Sequence, residues 1–292
     1  MGLAVAAFVL LIGVLCVVGL LSAPFQRVSR ARVEKFARRQ SLRITVTNGP
    51  LVIRYLAATR RWRGSGLLVG MAATEVGPSL VHVFRPDHAP QDPGINGLAL
   101  FVGWFVGAVI AEWRVSVAAA PGRRRAAALE PRRLADYVPR PSRVVASAAW
   151  IALVAFELSS LGLASVRHRD EMLPALGWAA LTLLAGGLLV LVGRRVLVRP
   201  QRYADADLIA ADDAIRSRSL HVLAGCALAI AGYLSVGVAE TLAAHSSASS
   251  DNLVLLVTVV GGFFAPALGF IVATATVPPI GRTAQALEGR PA

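Results

Sequence analysis

The sequence predicts an all-α integral membrane protein, a seven-helix transmembrane bundle with a small cytoplasmic β-hairpin. Three observations predict it. Hydrophobic residues fill 55% of the 292 positions, more than one soluble core would bury. Seven apolar stretches of spanning length recur, at roughly 3–22, 65–84, 96–112, 145–165, 173–193, 219–239 and 253–277. Those stretches place 27 of the 30 Lys and Arg side chains on one side.

The charge pattern sets orientation as well as class. Eleven basic residues lie between Arg27 and Arg63, eight between Arg114 and Arg143, six between Arg194 and Arg218, and two beyond Ile280. The opposite side holds Arg85, Arg167 and Arg169. The positive-inside rule assigns the basic side to the cytoplasm. The N-terminus is then outside, the C-terminus cytoplasmic, and the protein multi-pass in the cell (inner) membrane. Topology also absorbs the net charge of +13, since a basic residue near anionic headgroups gains about 1 kcal/mol. The charge is no nucleic-acid footprint. The expected surroundings are the lipid bilayer, anionic lipid headgroups and, as a candidate, a protein partner on the cytoplasmic face.

The first span has no positive charge before it, and cleavage after Ala23 would send eleven basic residues across the membrane. It reads as a retained anchor. Residues 23–63 form a cytoplasmic insert. Pro24 to Gln40 reads as a basic helix continuing the first span, with Val28, Val33, Phe36 and Ala37 on a rough face that Arg32 and Arg39 interrupt. From Leu42 to Thr47 the residues alternate, with Leu42, Ile44 and Val46 on one face and Arg43, Thr45 and Thr47 on the other. Asn48-Gly49 follows, then Leu51 to Arg54, with Pro50 delaying the second strand. Alternation around Asn-Gly is a strong hairpin signal, and a broken helix is the other reading. A lone hairpin is marginal in water and must pack on something. Ile44, Val46, Asn48 and Gly49 are therefore the candidate cytoplasmic interaction residues.

The second span is diluted by Gly64, Gly66, Gly70, Glu75, Gly77 and Pro78, yet it is needed to keep the basic segments on one side. Gly66 and Gly70 form a small-residue packing face, and Gly103 and Gly107 repeat it in the third span. No βαβ unit surrounds these glycines, so they are no dinucleotide turn. Glu75, Glu157 and Glu240 follow one another at intervals of 82 and 83 residues on successive ascending helices. The spacing hints at a repeated helical hairpin, whereas their unequal depths point to coincidence. A carboxylate within the bilayer costs about 2.5–3.5 kcal/mol, so these three are the intramembrane polar candidates. Each could exchange a proton or cation, or simply tie two helices together. Asp207 is the expected cap of a helix running into the sixth span, and Asp212 and Arg216 stand four apart in the favourable order.

Catalytic signatures are missing: there is no nucleophile elbow, no His-Glu-x-x-His and no phosphate loop. We expect neither an enzyme nor a cofactor. His82, His88, His168 and His245 fall on the outer side near carboxylates, but without metal-ligand spacing, so no metal is expected. Cys16 and Cys226 lie within spans and read as packing residues.

The stretches Val52-Ile53-Arg54-Tyr55-Leu56-Ala57-Ala58-Thr59-Arg60-Arg61-Trp62-Arg63 and Leu208-Ile209-Ala210-Ala211-Asp212-Asp213-Ala214-Ile215-Arg216-Ser217 carry a resemblance. They are similar to segments of uncharacterised multi-pass membrane proteins of high-GC actinobacteria. That resemblance implies a cell-membrane location and no particular chemistry. Two classes of function stay open: a non-catalytic accessory or regulatory subunit of a membrane complex, and a small proton- or cation-coupled transporter using Glu157 and Glu75.

Overall fold

The computed structural model describes residues 27–84, 97–117, 133–167, 169–200, 205–243 and 251–276. The chain divides into two compact units, Met1–Lys35 with Val46–Ala119, and Phe36–Thr45 with Ala120–Ala292. The described residues are 89% helical and contain no strand. The expected spans at 65–84, 145–165, 173–193 and 219–239 fall within helices, and of the spans at 96–112 and 253–277 the stretches 97–112 and 253–274 are helical; the span at 3–22 lies outside the described residues.

The expected hairpin is replaced by the end of one helix and the start of another. Helix α1 runs Arg30–Arg39, beginning three residues after non-helical Arg27 instead of continuing the first span. It ends in a left-handed residue, Ser41 at φ 47°, and the Leu42 amide turns back to the Ala37 carbonyl at 2.9 Å. That six-to-one bond is a Schellman closure. Leu42 is buried, Ile44 half-buried and Val46 96% exposed, so the three share no face. Asn48 and Gly49 are both buried. Asn48 stands at the N-cap position of α2 (Gly49–Phe84), where its carbonyl accepts the amides of Leu51 at 3.1 Å and Val52 at 3.2 Å. Asn is a strong N-cap, and Pro in the first turn lacks only an N–H that the helix does not use there. Asn-Gly-Pro therefore starts a helix where Asn-Gly alone would have turned a hairpin.

In the first unit α2 packs antiparallel on α3 (Gly97–Val117) through backbone. A Cβ added at Gly66 would sit 2.2 Å from the Gly103 carbonyl oxygen, and one at Gly103 would sit 2.3 Å from the Gly66 oxygen. Gly70 lies beneath Gly103, and a Cβ at Gly107 would meet the Trp62 carbonyl at 2.3 Å. Both helices thus bring glycines four apart to one crossing. Only glycine allows so close an approach.

The second unit is built around α6 (Ala206–Ala243). A 3₁₀ turn at Leu134–Asp136 leads into α4 (Arg140–Arg167) and α5 (Arg169–Val198). The chain closes with α7 (Asp251–Val257), a π-helical segment Thr258–Phe264 and α8 (Ala265–Thr274). Among the described residues, four stretches are long and apolar enough to cross a membrane: Arg140–Leu163, Met172–Val198, Ala206–Ala243 and Val254–Thr274. The apolar window of α6 is 67% buried, against 11–22% for the others, which makes α6 the central helix. Outward faces carry Ile151, Leu158, Leu183, Leu184, Phe263 and Phe270, all exposed. Such continuous apolar cover suits lipid and associates the unit with a membrane.

Close contacts give the directions. Trp150 of α4 meets Ala227 of α6 and Tyr137 meets Asp213, so α4 and α6 run parallel. Trp178 and Val196 of α5 meet Thr241 and Arg216, so α5 runs against α6. On the other flank Gly225 faces Gly269 and Gly232 faces Gly261, so the π–α8 arm is also antiparallel to α6. Arg140, Arg143, Arg194, Arg199, Arg216 and Arg218 consequently gather at one end of this unit.

Candidate functional site

The densest buried chemistry lies at that basic end, on the first half of α6. Asp205 starts the helix: its carboxylate accepts the amides of Asp207 at 2.8 Å and Leu208 at 3.3 Å. The cap is therefore Asp205, and the expected cap Asp207 sits inside the first turn. A residue one position before the first helical one can reach two free amides, whereas Asp207 is already helical.

Two turns on, Asp212 is bonded by both Arg199 and Arg216, the latter at 2.9 Å. The i,i+4 pair read from the sequence is present, and it is buried: Arg216 is 0% exposed. One terminal nitrogen of Arg216 also donates to the carbonyls of Val196 at 2.6 Å, Leu197 at 2.9 Å and Arg199 at 3.0 Å. These are the carbonyls that the end of α5 leaves without partners. A guanidinium there meets the negative end of the helix dipole as well. Arg218, half a turn further, donates to the Ala273 carbonyl at the end of α8. One helix therefore supplies a guanidinium to the C-terminal end of each neighbour that runs against it.

The same region fastens the 3₁₀ turn. The Tyr137 hydroxyl donates to Asp213 at 3.2 Å, and the Ser217 hydroxyl to the Tyr137 carbonyl at 3.4 Å. His221 Nδ1 lies 2.9 Å from the Ser217 carbonyl, and its Nε2 is buried without a partner among the described residues. At the far end of α6, the Trp178 indole donates to Thr241 at 2.9 Å while its ring covers Gly237, where a Cβ would lie 2.2 Å from the ring.

The sequence-derived polar candidates part company. Glu157 is buried in α4 and accepts the Thr182 hydroxyl from α5, the arrangement of a helix tie. Glu240 is exposed on α6. Glu75 lies in α2, with its side chain outside the described residues. Among the described residues no group of three could hold a metal, and His88, His168 and His245 lie outside them.

The first unit holds a carboxylate that sequence reading passed over. Glu112, fully buried near the end of α3, accepts from Arg63 at 2.9 Å and from the Tyr55 hydroxyl at 3.4 Å. Arg63 also lies 5.8 Å from the Trp104 ring centre, and Arg114 lies 5.1 Å from that of Trp62. A signal existed. Glu112 ends the third span and Arg63 precedes the second, so an antiparallel hairpin brings them to the same depth.

No protein-family model, curated protein or solved structure matches the chain.

Proposed function

We propose that this is a non-catalytic accessory or regulatory subunit of a membrane complex. The chain crosses the cell membrane seven times, with its N-terminus outside and its cytoplasmic face carrying the basic segments. The carrying observation is where the buried charge goes. Asp212 is taken up by two arginines, Asp213 by Tyr137, Glu157 by Thr182 and Glu112 by Arg63. Apart from the Arg216–Asp212 pair within α6, each of these bonds joins separate segments of the fold. A transport path needs groups that release their partners in turn, whereas these partners hold helices together. The partner surface is the cytoplasmic segment between α1 and α2, where Val46 stands almost fully exposed outside any helix.

Burial of Glu157 within a span-length helix favours a second reading, proton or cation transport through that carboxylate. Liposomes holding the purified protein and a pH-sensitive dye separate the two under an imposed potassium diffusion potential. The accessory reading gives proton entry equal to that of empty liposomes. Entry that rises with protein content and vanishes in Glu157→Gln overturns it.

A further inference from the structure

Between α4, α5 and α6 the second unit contains a cavity of about 500 Å³, within the range that accommodates small organic ligands. Small side chains open it: Ala146, Gly186, Gly193, Ala224 and Ala227 stand where larger ones would close the helices together. Leu189, Leu220 and Leu223 make the wall apolar. Trp150 closes the deep end, its indole N–H held by the Ala227 carbonyl at 3.1 Å and its ring lying on Gly186. From Gly186 to Arg194 along α5 the cavity is about 12 Å deep at the rise of an α-helix.

The other end is cationic. Arg143 and Arg194 line the cavity, Arg140 joins Arg143 in a shallower groove beside it, and among the described residues no carboxylate lines either space. Arg143 is fixed by a bond from its Nε to the Val138 carbonyl at 3.1 Å, which leaves its terminal nitrogens unbonded among the described residues. Arg194 is exposed and has no hydrogen-bond or ion-pair partner among the described residues.

We propose that this cavity is a binding site for one anionic phospholipid, with an acyl chain between the helices and the phosphate held by Arg143 and Arg194. The chemistry fits at both ends. A guanidinium offers a planar pair of donors to a phosphate, and a second one adds donors and favours an anionic headgroup over a zwitterionic one. The apolar part of the wall offers water few of the several polar partners that it requires. An acyl chain fills it and loses no hydrogen bond. A zwitterionic lipid would bring a third cation against the two arginines. On the orientation proposed above, the cationic end meets the cytoplasmic leaflet, where anionic lipids attract basic residues. The site requires the membrane placement of α4, α5 and α6, and it is independent of any protein partner.

Native mass spectrometry of the purified protein, titrated with palmitoyl-oleoyl phosphatidylglycerol or the matching phosphatidylcholine, tests the site. One phosphatidylglycerol is retained per chain at lipid levels where phosphatidylcholine is not. Arg194→Gln lowers retention about fivefold, the loss expected of one guanidinium near a headgroup. Gly193→Leu lowers it too, with unchanged thermal unfolding, because a Cβ at Gly193 meets nothing within 4 Å. Equal retention of both lipids overturns the proposal. So does retention that neither variant reduces, or displacement of phosphatidylglycerol by inorganic phosphate alone, which would mark an anion site without a chain.

Discussion

Arg216 lies wholly buried against Asp212, 2.9 Å away, and caps with its other terminal nitrogen the carbonyls that end α5. The pair ties the second unit together at one end, and Trp178 with Thr241 does so at the other. Burial of a charged guanidinium is costly, and four hydrogen bonds offset that cost only while all partners are present.

Arg216→Leu should therefore lower stability by about 3–5 kcal/mol, because Asp212 and three carbonyls lose a donor together. Arg216→Lys should recover little, since an ammonium cannot bridge a carboxylate and a helix end in one plane. The double variant Asp212→Asn, Arg216→Leu should lose less than the two single changes combined. Thermal unfolding in a fixed detergent measures all three.

Gly66→Ala and Gly103→Ala should each disrupt the first unit. A methyl group at either position lands within 2.3 Å of an opposing carbonyl oxygen, so the helix backbones themselves must move apart. Gly162→Ala should be neutral or slightly stabilising, since its Cβ meets nothing within 4 Å and Ala is the better helix former. Comparable losses of unfolding temperature in all three would contradict the close crossing.

The helical class of the fold is legible, because long apolar stretches of span length mark helices directly in the sequence. The stretches 65–84, 145–165, 173–193 and 219–239 fall within helices, 97–112 and 253–274 are helical too, and the glycines Gly66, Gly70, Gly103 and Gly107 all lie at one crossing. The hairpin expected at 42–54 gives way to a helix start for a local reason. The alternation of Leu42, Ile44 and Val46 is equally compatible with a helix end and a connecting segment, and Pro50 decides for a helix start. Arg216 was read as half of an ordinary i,i+4 pair. Its acceptors on Val196 and Leu197 belong to another helix, and backbone carbonyls leave no mark in a sequence. The cap expected at Asp207 falls two residues earlier, at Asp205, within the usual uncertainty of a helix boundary.

Glu157 gives a sharper test of structure against transport. Glu157→Gln keeps an acceptor for the Thr182 hydroxyl and should leave membrane abundance near that of the parent. Glu157→Leu leaves that hydroxyl without its partner and should cost about 1–3 kcal/mol, seen as lower abundance on quantitative blotting. Equal abundance of both variants would remove the tie from the account.

Ser41 carries a backbone conformation that branched residues resist. Ser41→Val should destabilise the end of α1 by about 1–2 kcal/mol, while Ser41→Asn should be tolerated. Amide exchange across Arg38 to Leu42 reads the difference; equal protection in both variants would contradict the left-handed closure.

The accessory reading is tested most directly by purification from native membranes in mild detergent, at native expression, of the parent chain and Val46→Asp. We predict a second protein at a fixed ratio with the parent, and its loss from Val46→Asp with the fold intact, since Val46 is exposed and packs on nothing that substitution would disturb. The parent chain emerging alone at full yield would contradict the account and turn attention to Glu157 as a transport group.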